Sequence, residues 1–247
     1  MTAILKIENL SKDFSGLEVL SGITMEIFQG ERHCIIGPNG SGKTTLFNLI
    51  TGFYRPSRGK IFFSDKNITG WSSHRIAQLG LSRSFQIITI FPKMTVYENV
   101  RSAVVSKLNR HFNLTTLLNR DREVEGETDR MVDLLSLTDV RDVPASDLSY
   151  GKQRHLELAL TMAREPVLVM LDEPTAGLNS EETRKAVQLI RQLTEGRTLV
   201  MVEHDMEVVF NLADRITVLD NGRILATGPP NEIRENEKVK KAYLGRK

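Results

Sequence analysis

Residues Gly37-Pro38-Asn39-Gly40-Ser41-Gly42-Lys43-Thr44 carry the spacing G-x-x-x-x-G-K-[ST]. Glycines lacking a Cβ let a backbone wrap closely, so that consecutive N–H groups point at phosphate oxygens. A helix starting at the lysine adds its N-terminal dipole to the same site. There Lys43 would neutralise β- and γ-phosphates, and the Thr44 hydroxyl would ligate Mg²⁺. This is chemistry for a nucleoside triphosphate, provided the loop joins a strand to a helix.

A second set of candidates is acidic. Asp172-Glu173 directly follow the apolar run 167–171. One carboxylate can hold Mg²⁺ through water, and the other can take a proton from an attacking water. Two acids closing a strand are common enough alone, so the pair gains meaning from the strand before it and from the phosphate loop. His204, in Val202-Glu203-His204-Asp205, follows another apolar run. That places it at the same carboxyl-end edge, where a lone histidine is as readily structural as functional. Gln86, closing Ser82-Arg83-Ser84-Phe85-Gln86, is uninformative alone.

Leu148-Ser149-Tyr150-Gly151-Lys152-Gln153 begins a helical pattern badly. Ser149 is a reasonable N-cap, but a glycine inside a helix costs about 1 kcal/mol relative to alanine. Lys152 and Arg154 put positive charge where the helix dipole is already positive, although Arg154 has an i,i+3 partner in Glu157.

The elements that must position these groups are short strands and helices. Strands are expected over 3–10, 19–28, 32–36 and 60–63, with a helix through Leu46, Leu49 and Ile50 after the glycine-rich loop. Helices then dominate from 87 to 163, at 96–108, 124–135 and 151–164. A strand at 167–171 is followed by a helix at 181–193, a strand at 198–202, a helix and a strand at 215–219. Continuous apolar strands separated by helices imply a parallel sheet covered on both faces. Residues 109–126 read as an exposed insertion, and 236–247 as a charged helix docked through Val239, Tyr243 and Leu244.

With 247 residues, the chain has ample length for a sizeable core. Thirty-three Lys+Arg against 31 Asp+Glu leave a formal charge of +2, so no nucleic-acid partner is expected. The single cysteine, Cys34, excludes an internal disulfide and reads as a buried small hydrophobe. No apolar run approaches the roughly 20 residues of a bilayer-spanning helix, and the N-terminus does not read as a signal peptide. A cytoplasmic protein is expected, reaching a membrane only through something else.

With these elements in this order, the chain resembles the ATP-binding subunits of ABC transporters over essentially its whole length. The residues GPNGSGKTT, Gly37 to Thr45, correspond to the Walker A motif, and LVMLDEP to Walker B. The resemblance implies an α/β P-loop NTPase fold: a RecA-like parallel-sheet core, an N-terminal antiparallel β subdomain and an inserted α-helical subdomain. The core would occupy 1–86 and 166–235, the helical block 87–165, and a C-terminal helix 236–247. It also implies that Gly37, Pro38, Asn39, Gly40, Ser41, Gly42, Lys43, Thr44 and Thr45 hold ATP, with Phe14 stacked on adenine. Thr44, Gln86 and Asp172 would serve Mg²⁺, with Glu173, His204 and Gln86 as the catalytic group. LSYGKQ stands where the family usually has LSGGQ. In a head-to-tail dimer, Ser149 and Gly151 would meet the γ-phosphate of ATP held by a partner subunit.

Two residues depart from the pattern. Tyr150 replaces the first signature glycine, and Asn179 stands where many relatives carry the D-loop aspartate. With Glu182 at N3, Asn179 completes something like a capping box.

The segments LSRSFQ, FPKMTVYENV, VEHDMEVV and KVKKAYLG, with the 109–126 insertion, bring the resemblance closest to branched-chain amino-acid importer ATPases of the LivG type. Urea- and amide-importer ATPases share several of these features. The implied partners are a second copy or a sister ATPase, integral-membrane permeases and, indirectly, a solute-binding protein. Residues 87–91, apolar and directly after Gln86, are candidates for the permease groove, although a run this apolar is more often core. The rivals are a non-transport ABC ATPase and a nucleotide-sensing module without hydrolysis.

Overall fold

The computed structural model describes residues 2–84, 90–108 and 122–244. The chain divides into two compact units, one of residues 1–83, 167–173 and 194–247, the other of residues 84–166 and 174–193.

The first unit contains two sheets. β1 (Ala3–Phe14) and β2 (Leu17–Phe28) form a long antiparallel hairpin, and β4 (Arg58–Phe63) and β5 (Lys66–Asn67) complete the sheet in the order β2-β1-β4-β5. β1 runs four residues past the expected end because Lys12, Asp13 and Phe14 continue to pair with β2. Its turn closes at Gly16, whose N–H donates to Asp13 Oδ1 at 2.8 Å and whose φ is +96°.

The other sheet has the order β10-β9-β3-β8-β7-β6. β3 (Arg32–Ile36), β6 (Leu81–Arg83), β7 (Leu168–Asp172), β8 (Thr198–Val202) and β9 (Arg215–Asp220) are parallel, and β10 (Arg223–Gly228) is antiparallel to β9. Every residue of β7 and β8 is buried, as continuous apolar strands covered on both faces require. Val167 belongs to the apolar run in sequence, yet it is 48% exposed and precedes the strand. Helix α1 (Lys43–Ile50) follows β3 through the glycine-rich loop, and α2 (Ser73–Gln78) precedes β6. Cys34 is buried as expected, and burial pushes its thiol pKa far up.

The second unit is helical. α3 (Val96–Lys107) starts at a capping box, with Thr95 accepting from Glu98 N–H and the Glu98 carboxylate accepting from Thr95 N–H. α4 (Arg122–Leu134) buries Val124, Thr128, Met131 and Val132. The 109–126 segment is therefore not exposed throughout: residues 122–126 open a helix and Val124 is fully buried, while 109–121 lie outside the described residues. α5 (Tyr150–Met162) packs against α6 (Ser180–Leu193), which buries Ala186, Leu189, Ile190 and Leu193 in a helical stripe. The sheet unit closes with α7 (Met206–Leu212), α8 (Pro230–Glu235) and α9 (Glu237–Leu244). Of the expected docking stripe on α9, Val239 is buried, and the side chains of Tyr243 and Leu244 lie outside what is described.

Candidate nucleotide site

The glycine-rich loop joins β3 to α1, as the phosphate chemistry demands. Gly37 is fixed by its surroundings, since a Cβ there would collide with the Leu219 carbonyl and Ser41 Oγ. Gly40 and Gly42 have φ of +79° and +101°, and a Cβ on Gly42 would strike the Leu20 side chain. Gly42 is also the left-handed N-cap of α1, without a side chain to occupy the free amides of the first turn. Pro38 is half-buried, and Asn39, Gly40 and Thr44 are exposed, with Thr45 half-buried behind them.

Lys43 is buried in the first turn of α1, where its Nζ donates to Gly37 O at 2.8 Å and Pro38 O at 3.1 Å. Burial lowers its pKa, and the negative charges of Glu173 and Asp172 oppose that shift. Those two carboxylates thus act on the lysine of the glycine-rich loop. Ser41 Oγ is buried and has no hydrogen-bond partner among the described residues.

Asp172 ends β7 and is 1% exposed. Its Oδ2 accepts from Arg83 Nη2 at 2.8 Å, while Arg83 Nη1 donates to Asn48 Oδ1 at 2.6 Å and Thr51 Oγ1 at 3.1 Å. One guanidinium therefore ties β6, β7 and the end of α1 together. A fork of fixed donors suits this task in a way a lysine does not. Sequence reasoning misses Arg83, because the three-residue strand β6 that it ends is not among the expected strands.

Glu173 follows with φ +50°, an uncommon conformation for a residue with a Cβ. Its N–H donates to Val202 O at 2.9 Å, and this bond holds the turn. The turn brings Glu173 Oε1 to 3.8 Å from Nδ1 of His204, longer than a hydrogen bond. His204 follows β8, is largely exposed, and has its N–H bound to the Glu203 carboxylate at 3.1 Å. Lys43, Asp172, Glu173 and His204 therefore share the carboxyl edge of one parallel sheet, where ligands of open α/β sheets bind.

Phe14 lies at the end of β1, 38% exposed, edge-on to Tyr54 with ring centroids 5.3 Å apart. Lys12 Nζ is 4.7 Å from the Phe14 ring centroid, and Phe53 packs against Tyr54 with centroids 5.4 Å apart. The ring is thus neither core nor isolated: it belongs to an aromatic cluster with a solvent-facing member. Gln86 and residues 87–89 lie outside the described residues; Ile90 is half-buried and Phe91 exposed.

In the helical unit, Ser149 caps α5, with Oγ accepting from Lys152 N–H at 3.4 Å. The poorly placed cations both have partners. Lys152 reaches Asp139, and Arg154 forms a buried pair with Glu157 at 2.8 Å. Gly151 is buried, and a Cβ there would come within 3.0 Å of Glu182 Oε1. Asn179 Oδ1 accepts from the Glu181 and Glu182 N–H groups at 3.0 Å, and Glu182 Oε2 accepts from Asn179 N–H at 3.1 Å. This is the reciprocal cap expected from the sequence.

A divalent cation fits these residues. The Asp172 carboxylate and Thr44 hydroxyl are hard oxygen donors, few in number, as suits Mg²⁺ shared with phosphate oxygens and water.

Comparison with known proteins gives the family and the fold. The family model described as ABC transporter matches residues 20–176, and one described as branched-chain amino acid ATP-binding cassette transporter matches 223–247. The chain is 39% identical to the high-affinity branched-chain amino acid transport ATP-binding protein LivG of Escherichia coli, over 98% of each chain. It is 38% identical to BraF of Pseudomonas aeruginosa, likewise a high-affinity branched-chain amino acid transport ATP-binding protein, with the same coverage. Among solved structures, the ADP conformation of MJ1267, an ATP-binding cassette of an ABC transporter, superimposes with a TM-score of 0.85 at 28% identity over the whole of both chains.

Proposed function

Because the chain belongs to the ABC transporter family of ATP-binding subunits, we propose that it is the ATP-hydrolysing subunit of an importer for branched-chain amino acids. The observation that carries the chemistry is the common sheet edge shared by the Lys43 loop, Asp172, Glu173 and His204. The identity to LivG and BraF across 98% of the chain supports the solute class.

Backbone N–H groups of the 37–45 loop other than that of Pro38, with Lys43 Nζ, hold the phosphates, and Phe14 receives adenine. Glu173 takes a proton as water attacks the γ-phosphorus; the bond to the β,γ-bridging oxygen breaks, releasing ADP and phosphate. His204 contacts the γ-phosphate, and Gln86 positions the attacking water. Thr44, Asp172 and Gln86 would hold Mg²⁺, which would supply positive charge to the phosphates. Ser149 and Gly151 close the site of a partner subunit in a head-to-tail pair, formed with a second copy or a sister ATPase.

Residues 1–86 and 166–235, apart from 174–193 of the helical unit, would then handle the nucleotide, and 87–165 would transmit to the permeases. Among the described residues no helix is long and apolar enough to cross a membrane, and the exposed Phe91 with Ile90 continues the apolar stretch proposed to meet the permeases. The subunit would sit on the cytoplasmic face of the membrane through those permeases, which receive solute from a binding protein.

The test uses proteoliposomes containing the permeases. ATP-driven leucine uptake is expected with the wild type and absent with Glu173→Gln, which still binds ATP and forms a stable dimer. Hydrolysis by E173Q at the wild-type rate would remove Glu173 as the base. Wild-type hydrolysis without leucine uptake would remove the solute assignment.

A further inference from the structure

Tyr150 is the residue that the family pattern leaves unexplained, and its hydroxyl has two partners. It accepts from Arg154 Nη2 at 3.0 Å and donates to the Ala176 carbonyl at 3.2 Å. Arg154 is itself held by Glu157, and both are buried. A chain of polar contacts therefore runs from inside α5, through its first residue, to the loop that precedes α6.

The ring contributes as well. It lies over Gly177, where a Cβ would come within 3.2 Å of Tyr150 Cε1, and Gly177 has φ +79°. The left-handed backbone favours glycine there, and the covering ring leaves little room for a Cβ. Beside it, the Glu182 side chain fits against Gly151 while capping Asn179. Residues 174–193 accordingly group with the helical unit, although they follow β7 of the sheet unit directly in the chain.

We propose that Tyr150 is a positioning residue that fastens the 176–179 loop to the N-terminus of α5. The Ser149–Gly151 segment proposed to meet the dimer partner and the 176–179 loop then move as one piece. This rests on the head-to-tail reading given above. Where a glycine would leave the Glu182 contact with Gly151 in place, tyrosine adds a hydrogen bond to the loop and a ring contact. Arg154 keeps that hydroxyl from rotating away.

The experiment measures ATP-dependent dimerisation of the full chain by analytical ultracentrifugation in the Glu173→Gln background, alongside fluorescent ATP binding by the monomer. Tyr150→Phe removes one hydroxyl and keeps the ring. Loss of the two hydrogen bonds made by that hydroxyl, one of them to a guanidinium, should weaken dimerisation by about a factor of 2 to 10. Monomer nucleotide affinity is expected to stay at the parent value and the melting temperature to fall by only about 2–4 °C, whereas a merely structural role would lower binding and stability together. Tyr150→Gly, which restores the usual family residue, should weaken the dimer further.

Dimerisation of Y150F at parent strength would overturn the proposal, as would recovery to parent strength by Y150G. Parallel loss of dimerisation, nucleotide binding and thermal stability would reduce Tyr150 to a packing residue. Failure of the E173Q parent to dimerise with ATP would instead remove the head-to-tail premise, and the tyrosine tie with it.

Discussion

At the scale of single residues, Phe14 offers the sharpest division between binding and packing. Its ring is solvent-facing on one side and propped by Tyr54 and Lys12 on the others, which is what a platform for a base requires. Stacking of a base on an aromatic ring is worth about 1–3 kcal/mol, so Phe14→Ala should weaken ATP binding by about tenfold or more. Equilibrium titration of the isolated subunit with a fluorescent ATP checks this. Unchanged affinity would return Phe14 to a packing role against Tyr54. Legibility among such residues follows sequence distance. The phosphate loop is contiguous, so its glycines, Lys43 and Thr44 announce their chemistry together. Arg83 and Tyr150 do not, because their partners Asp172 and Ala176 lie 89 and 26 positions away. Phe14 stands between: its type and place suggest stacking, and the neighbours that hold its ring emerge only in the fold.

At the scale of elements, α5 carries a titratable weakness. Burial pushes the His155 pKa below its ordinary value of 6.5, while Glu182 acts in the opposite direction. The folded state therefore resists a proton that the unfolded chain accepts. Stability should be unaffected above about pH 7 and should fall as pH drops through about 6.5. His155→Gln is expected to flatten that decline in urea midpoints measured between pH 7.5 and about 5.5; parallel curves for both proteins would show that His155 does not set it. The buried parallel strands are the most legible elements. β7 and β8 are continuous apolar runs because both faces are covered, and nothing local competes with that pattern. β10 escapes a reading of the sequence because it pairs only with β9 and carries a half-buried, mixed pattern. The start of α4 is hidden because Arg122, Glu123 and Glu125 surround a single buried Val124.

At the scale of the whole molecule, the groups proposed for one hydrolytic event are divided between two units. Lys43, Asp172, Glu173 and His204 belong to the sheet unit, and Ser149 and Gly151 to the helical one. The sheet unit contains the glycine-rich loop, Lys43 and Phe14 proposed to hold the nucleotide, so binding and hydrolysis should be separable by mutation. Ser149 caps α5 with an exposed side chain and only a 3.4 Å bond to Lys152 N–H, so a bulky cation there disturbs little of its own subunit. It would, however, fill the space where a partner's γ-phosphate must approach. Ser149→Arg should thus abolish ATP hydrolysis while the isolated subunit binds ATP within about twofold of wild type, far less than the tenfold that about 1.4 kcal/mol represents. Steady-state phosphate release beside nucleotide titration provides the measurement. If binding falls as far as hydrolysis, Ser149 serves its own subunit's nucleotide or fold, and completion of the site by a second subunit is the wrong account.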